Sequence, residues 1–360
     1  VALLTALLLA LPAVLSYASM LTQRSDSSLS IRTVEWLRDN GARGLVNRVE
    51  NFYYSLNAPA KGGPGLKRLP NQPGAGSALA AAKHIHYYRP PDIAPVIHPA
   101  LPGEGVWHST YAYGGTRPPV LVTSFRPDPN YPQNVAGVAW IDHSRTTTWL
   151  YPGVQEPSIH MGSSRGPSEI PPTMRGRLVA SFNSGFKLVD SGGGFTSGAH
   201  TYAPLKNGLA TIMRYRDGRL DVRAWSGGPT APANIIYARQ NLPLIVNNAR
   251  LNPNLSDGPE WGATLGNAVQ VWRSGVGVDR YGNLIYAAAN DMTVGSLAKV
   301  LQRAGAVRAM ELDINVYWTS FIHYRDPGAR GAANLLASMN RSNQRYLTPD
   351  DRDFFGVYIR

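Results

Sequence analysis

Val271-Trp272-Arg273-Ser274-Gly275-Val276-Gly277-Val278-Asp279 leads into Arg280-Tyr281-Gly282-Asn283 and then into the apolar run Leu284 to Ala289. Two apolar runs around a short polar, glycine-bearing segment predict a β-hairpin. Just downstream, Val294, Leu297, Leu301 and Ala304 fall on one helical stripe, with Thr293 placed to cap the helix and Gly305 to stop it. The next apolar run, Val307 to Ile314, reads as a strand. Hairpin, helix and strand in this order predict an α+β fold with a mainly antiparallel or mixed sheet and few helices.

Working outward, Val120 to Phe125, Val135 to Ile141 and Thr146 to Tyr151 are further short strands, and Leu209 to Tyr215 pairs with Leu220 to Trp225 around Arg216-Asp217-Gly218-Arg219. The 360 residues are 43% hydrophobic and 16% charged, with 36 Gly and 28 Pro, which fits a folded chain with many turns. There is no Cys, so disulfides, thiolate metal sites and thiol nucleophiles are excluded. No dinucleotide-binding glycine fingerprint, phosphate-binding loop of the Walker type or fixed-period repeat occurs, which argues against nucleotide cofactors. The formal net charge of +12 is spread along the chain with no run of five basic residues, so a nucleic-acid partner is not expected. Such a surface favours anionic lipid or phosphate-bearing polymers.

The first 21 residues, VALLTALLLALPAVLSYASML, carry no charge and are about long enough to span a ~30 Å hydrocarbon core. They predict a single-pass transmembrane anchor in the cell membrane with an extracytoplasmic domain, or, through Ser16 and Ala18, a cleaved signal on a secreted protein. Residues 22–101 read as a connecting region. Leu29 to Leu56 predicts two amphipathic helices broken at Asn40-Gly41, either on a membrane surface or docked on the body, and Ala58 to Gly76 is a Pro/Gly-rich linker. The body is expected over 102–360. His84 and His86 alternate on a possible strand ahead of it, with no third ligand in view, and read as a surface pair.

Three segments set polar residues into apolar strands. Leu178 to Phe182 runs into Asn183-Ser184-Gly185-Phe186-Lys187 and then Gly192-Gly193-Gly194. Glycines there let backbone N–H groups approach an anionic ligand, and a tight turn with a satisfied Asn183 explains the pattern equally well. Arg273, in an apolar strand, needs an anionic partner, either a protein carboxylate or a substrate phosphate. Asp279 reads as the cap of the hairpin turn before it reads as a reactive group. In Met310-Glu311-Leu312-Asp313-Ile314-Asn315, strand alternation puts Glu311, Asp313 and Asn315 on one face. Two carboxylates ~7 Å apart would push one pKa upward, as an acid/base pair requires, and an ion pair with Arg273 is the structural rival.

These segments, in this order, resemble the phosphodiester glycosidase family over Arg177 to Phe321. The resemblance rests on Asn183-Ser184-Gly185-Phe186, on Arg273-Ser274-Gly275-Val276-Gly277-Val278-Asp279, on the helix start Met292-Thr293, and on Asp313. Where the family carries Asp-Gly-Gly, this chain has Asp313-Ile314-Asn315, so its backbone cannot reach a ligand in the same way.

The resemblance implies hydrolysis of a sugar-1-phosphodiester at the glycosidic bond, with a glycan or sugar-phosphodiester substrate and no cofactor. Glu311 and Asp313 would activate water or stabilise an oxocarbenium ion, and Arg273 would stabilise the departing phosphate. Substrate contacts are expected from Asn183, Gly185, Phe186, Lys187, Lys206, Asn207, Ser274, Asp279 and Asn315, with Lys187 and Lys206 also readable as solvated surface lysines. A Ca²⁺ or Mg²⁺ ion on Asp313 and Asn315 stays open. The alternatives are a membrane-tethered module that binds phosphate-bearing envelope polysaccharide without turnover, and a structural scaffold.

Overall fold

The computed structural model describes residues 2–56, 60–74, 76, 88–110, 117–256, 258–262 and 270–360. His84 and His86 lie outside them, as do parts of the linker. Three helices come first, α1 (Ala2–Thr22), α2 (Leu29–Leu37) and α3 (Arg43–Leu56). The strands that follow are β1 (His108–Ser109), β2 (Val120–Phe125), β3 (Ala136–Ile141), β4 (Thr146–Tyr151) and β5 (Leu178–Asn183). After the short helix α4 (Leu188–Ser191) come β6 (Phe195–Ser197), β7 (His200–Ala203), β8 (Ala210–Tyr215), β9 (Leu220–Ala224), β10 (Ile235–Gln240), β11 (Leu244–Asn247) and β12 (Arg250–Leu251). The chain ends with β13 (Val271–Val278), β14 (Leu284–Met292), α5 (Val294–Arg303), β15 (Arg308–Glu311), β16 (Phe321–Asp326), β17 (Arg330–Asn334) and β18 (Phe354–Ile359).

These strands build three sheets, in the orders β1-β2-β3-β14-β13-β15-β11-β12, β7-β6-β10-β8-β9 and β17-β16-β5-β18-β4. The pairings are antiparallel, so the expected α+β class with a mainly antiparallel sheet holds. Both hairpins form as the sequence predicts, β8 with β9 and β13 with β14. The large sheet is buried on both faces. On one, Val276, Val278 and Tyr286 join Phe182 and Phe355 of the third sheet and Ile212 of the second. On the other, Ile285 and Trp140 meet Leu297 and Leu301 of α5. Each fully buried leucine there stabilises the fold by about 1.5–3 kcal/mol. Glycine at 275 is required because a Cβ would stand 2.9 Å from both Leu301 Cδ1 and the Met310 carbonyl oxygen. The Thr293 side chain caps α5 by accepting from Ser296 N–H at 3.0 Å. Packing starts ahead of residue 102, since Ile93 is buried in the α5 layer together with Trp107.

Two expectations change. The strand expected through Ile314 ends at Glu311, and the Asp313 N–H turns away to the Ser184 carbonyl, so Glu311, Asp313 and Asn315 do not form one row. The N-terminal segment is helical, but among the described residues no helix is long and apolar enough to cross a membrane. Pro12 lies inside α1, and its second half carries polar groups used for packing. Ser16 accepts from Trp36 Nε1 at 3.0 Å, and Tyr17 and Thr33 hydroxyls meet at 2.9 Å. Helices α2 and α3 are broken at Asn40-Gly41 as expected, with Gly41 at φ +91°.

Candidate active site

Asn183 is the last residue of β5, buried beneath the turn that carries Asp313. Its Oδ1 accepts from Tyr286 Oη at 2.8 Å and Ser320 N at 3.0 Å, and its Nδ2 donates to Ser274 Oγ at 3.0 Å and the Ser184 carbonyl at 2.8 Å. Ser274 Oγ passes the network on by donating to the Asp313 carbonyl at 2.7 Å, which Thr319 Oγ1 also reaches at 3.2 Å. A buried network satisfied in this way fixes one backbone geometry, because each unmade bond would cost about 1–3 kcal/mol. Asn183 and Ser274, expected to touch substrate, therefore hold the Asp313 turn from below.

The Asp313 side chain points into a cavity of about 550 Å³ together with Phe186, Lys187, Asn315, Trp318 and Arg352. That volume lies within the ~300–1,000 Å³ range of small-molecule sites. Arg352 Nη2 donates to Asp313 Oδ2 at 2.7 Å, and the Asn315 N–H to Oδ1 at 2.9 Å. Burial raises the Asp313 pKa, with Arg352 and the Asn315 N–H pulling against it. Arg352 in turn is held more firmly charged: burial acts to lower its pKa, and the surrounding Asp313, Glu156, Glu35 and Asp353 outweigh it. The N-terminal helices supply another part of the wall through Glu35, Arg38, Arg43 and Asn47. Lys187 Nζ joins the two parts, at 2.8 Å from Glu35 and 3.0 Å from Asp39. Burial works to raise the Glu35 pKa, but Lys187, Arg352 and Arg38 outweigh it and hold the carboxyl below its usual range.

Glu311 and Arg273 do not face this cavity, which corrects their expected contact with substrate. Glu311 is fully buried with its Oε1 2.5 Å from Arg273 Nη1, and Arg273 also donates to the Met292 and Trp261 carbonyls. Burial pushes Glu311 up to about 7, against Arg273. This is the structural ion pair that the sequence left as the rival reading. Asp279 is a turn cap: its Oδ1 accepts from the N–H groups of Tyr281 and Asn283, and its Oδ2 from Trp140 Nε1. Lys206 and Asn207 are exposed away from the cavity, Asn207 Oδ1 accepting from the Gly228 N–H. Gly185 packs under Asn241, whose side chain a Cβ would meet at 3.0 Å.

The sequence reading missed Arg352, Trp318 and the helical wall. The signal for Arg352 was Asp350-Asp351-Arg352-Asp353, four charged residues directly before the apolar run of β18. Asp350 and Asp353 hold Arg345 and Arg239 in buried pairs, at 2.6 Å and 2.8 Å, which fixes the strand entry from which Arg352 projects. A divalent cation fits poorly on Asp313, because the Arg352 guanidinium already neutralises its carboxylate. Among the described residues no group of three or more His, Asp or Glu is arranged to hold a metal.

Residues 176–313 match the family model described as phosphodiester glycosidase. Among solved structures, the chain is similar to the zebrafish N-acetylglucosamine-1-phosphodiester alpha-N-acetylglucosaminidase catalytic domain, auto-inhibited by its pro-peptide. The identity is 15%, with 69% of this chain and 86% of that one covered and a TM-score of 0.45. A hypothetical protein from Synechocystis aligns at 14% identity over 71% of this chain and 65% of that one, with a TM-score of 0.41. No curated protein matches the sequence. Residues 176–313, which run from the entry of β5 to Asp313 at the cavity, are the part of the chain that matches the phosphodiester glycosidase model.

Proposed function

We propose that the protein is a hydrolase that cleaves the glycosidic bond of a sugar-1-phosphodiester, working outside the cytoplasmic membrane on cell-envelope glycans. The observation that carries this reading is the Asp313 carboxylate in the cavity, bonded to Arg352 and beside Lys187. Asp313 is placed to activate water or to stabilise an oxocarbenium-like transition state. A phosphate leaves as a stable anion and needs little general-acid help, so fixed cations matter more than a second acid. Arg352 and Lys187 supply that charge where water is partly excluded and electrostatic attraction is stronger than in bulk.

The test is release of free sugar and phosphomonoester from a panel of soluble sugar-1-phosphodiesters by the full chain, with Asp313→Asn as control. Turnover that disappears in the variant supports the hydrolase. A second reading is favoured by Ile314, which lines the cavity beside Asn315 where the family resemblance implies a glycine pair. Binding of the panel without turnover would establish that reading, a module that holds phosphate-bearing glycans.

A further inference from the structure

Exposed apolar side chains are concentrated at one end of the chain. Among the described residues, eight of the ten large hydrophobics left exposed lie between Leu11 and Phe52, and a ninth, Val189, is on the cavity wall. Large exposed apolar patches mark interaction surfaces, whereas single ones need no explanation. On α3, Leu45, Val49 and Phe52 follow the i, i+4, i+7 spacing of one helical face and are 62%, 63% and 68% exposed. At ~100° per residue, Arg43 and Asn47, which line the cavity, fall on the opposite face. On α1, Leu11, Val14 and Leu15 form a similar exposed face, while Ser16, Tyr17 and Met20 turn toward the protein. Arg43 and Arg48 are exposed on α3 and Arg24 in the connection between α1 and α2, in a chain with a formal charge of +12.

We propose that α1 to α3 form a membrane-docking unit that lies in the interface of an anionic bilayer. Leu11, Val14 and Leu15, with Leu45, Val49 and Phe52, enter the boundary between headgroups and acyl chains. Arg24 and Arg48 meet the lipid phosphates. The chemistry favours a bilayer over a protein partner: helices with an apolar face and arginines alongside it, with no helix among the described residues long and apolar enough to cross a membrane, are the pattern of interfacial binders. Anionic lipid strengthens binding further through each basic residue near the surface. Because α3 is both the docking helix and a cavity wall, the bilayer sits about one helix diameter, ~10 Å, from the substrate. The substrate class is therefore a sugar phosphodiester presented at a lipid surface; this last clause rests on the hydrolase reading, and the docking does not.

The test is vesicle flotation of the full chain with phosphatidylcholine vesicles and with vesicles that also contain phosphatidylglycerol. Two variants are compared, Leu45→Ser/Val49→Ser/Phe52→Ser and Leu11→Ser/Val14→Ser/Leu15→Ser, each checked by circular dichroism and by turnover of a soluble sugar-1-phosphodiester. The expected result is binding to the anionic vesicles that falls about tenfold or more in each variant, with helicity and soluble-substrate turnover unchanged. Anionic binding unchanged in the α3 variant overturns the proposal, as does binding retained in both variants and removed by high salt, which is charge attraction alone. Absence of vesicle binding with formation of a dimer overturns it in favour of a second copy. Absent turnover in the wild type with intact docking defeats the hydrolase reading and leaves the docking standing.

Discussion

Glu311 and Asp313 lie two residues apart, and each is held by one arginine, Arg273 at 2.5 Å and Arg352 at 2.7 Å. Glu311 is sealed between β13 and the core, whereas Asp313, one turn further on, opens on the cavity. Burial raises both carboxyl groups and an arginine opposes it in both, so charge environment alone does not separate them. What separates them is the end of β15. A carboxylate still inside the ladder is part of the sheet's packing; one past the ladder is free to meet a ligand. A perturbed pKa marks a functional candidate only when the group also has access to substrate.

Of the two arginines, the one at the cavity matters most for turnover. Arg352→Ala removes the cation that orients Asp313 and leaves its carboxylate uncompensated, and turnover is expected to fall about 10²–10³-fold, the scale of losing one electrostatic stabiliser. Steady-state kinetics on a soluble sugar-1-phosphodiester measures this, and unchanged kcat would remove Arg352 from the site. On the sealed side, Arg273→Ala should cost about 3–5 kcal/mol of stability by urea denaturation, because it strands a buried carboxylate. A stable Arg273→Ala protein that has lost turnover would instead return Arg273 to the chemistry.

A smaller effect separates the pair by pH. Unfolded, Glu311 ionises near 4.5; folded, it holds its proton up to about 7. The folded state therefore binds more protons in that window, and its stability falls as pH rises from about 4.5 through about 7, by at most about 1.4 kcal/mol per pH unit. Glu311→Gln should flatten that slope in denaturant titrations, and a slope identical to the wild type would show that Glu311 does not titrate there. The mildest effect is expected at the helical wall. Glu35→Gln weakens the Lys187 contact that fastens α2 to the body and should speed proteolytic cleavage within residues 23–56. Each 1.4 kcal/mol lost from docking gives about tenfold when opening is at equilibrium. An unchanged cleavage rate would mean that other contacts, such as Arg341 with Asp26, carry the docking alone.

The parts of this fold legible in the sequence are those set by local chemistry. The hairpin around Arg280-Tyr281-Gly282-Asn283 and the Thr293 cap of α5 each follow from a few neighbouring residues, and so does the break at Asn40-Gly41. The site was legible only in part. Alternation placed Glu311 and Asp313 on one face because it cannot show where a ladder stops, and here it stops when Asp313 N–H turns to Ser184, over a hundred residues away in sequence. Arg352 and Glu35 reach the cavity from opposite ends of the chain, joined through Asp313 and Lys187, and no spacing rule carries that. The helix α1 shows the same limit: uniform apolarity predicted a span, while Ser16 and Tyr17 serve contacts with α2 that only the fold supplies.

In the proposed reaction Asp313, and not Glu311, does the chemistry. Measuring kcat for Asp313→Asn and Glu311→Gln side by side on one soluble sugar-1-phosphodiester tests it directly. The expected result is a loss of about 10²–10⁴-fold for Asp313→Asn, the range for a positioned acid or base, and less than about tenfold for Glu311→Gln. The reverse order, with Glu311→Gln inactive and Asp313→Asn near wild type, would contradict it.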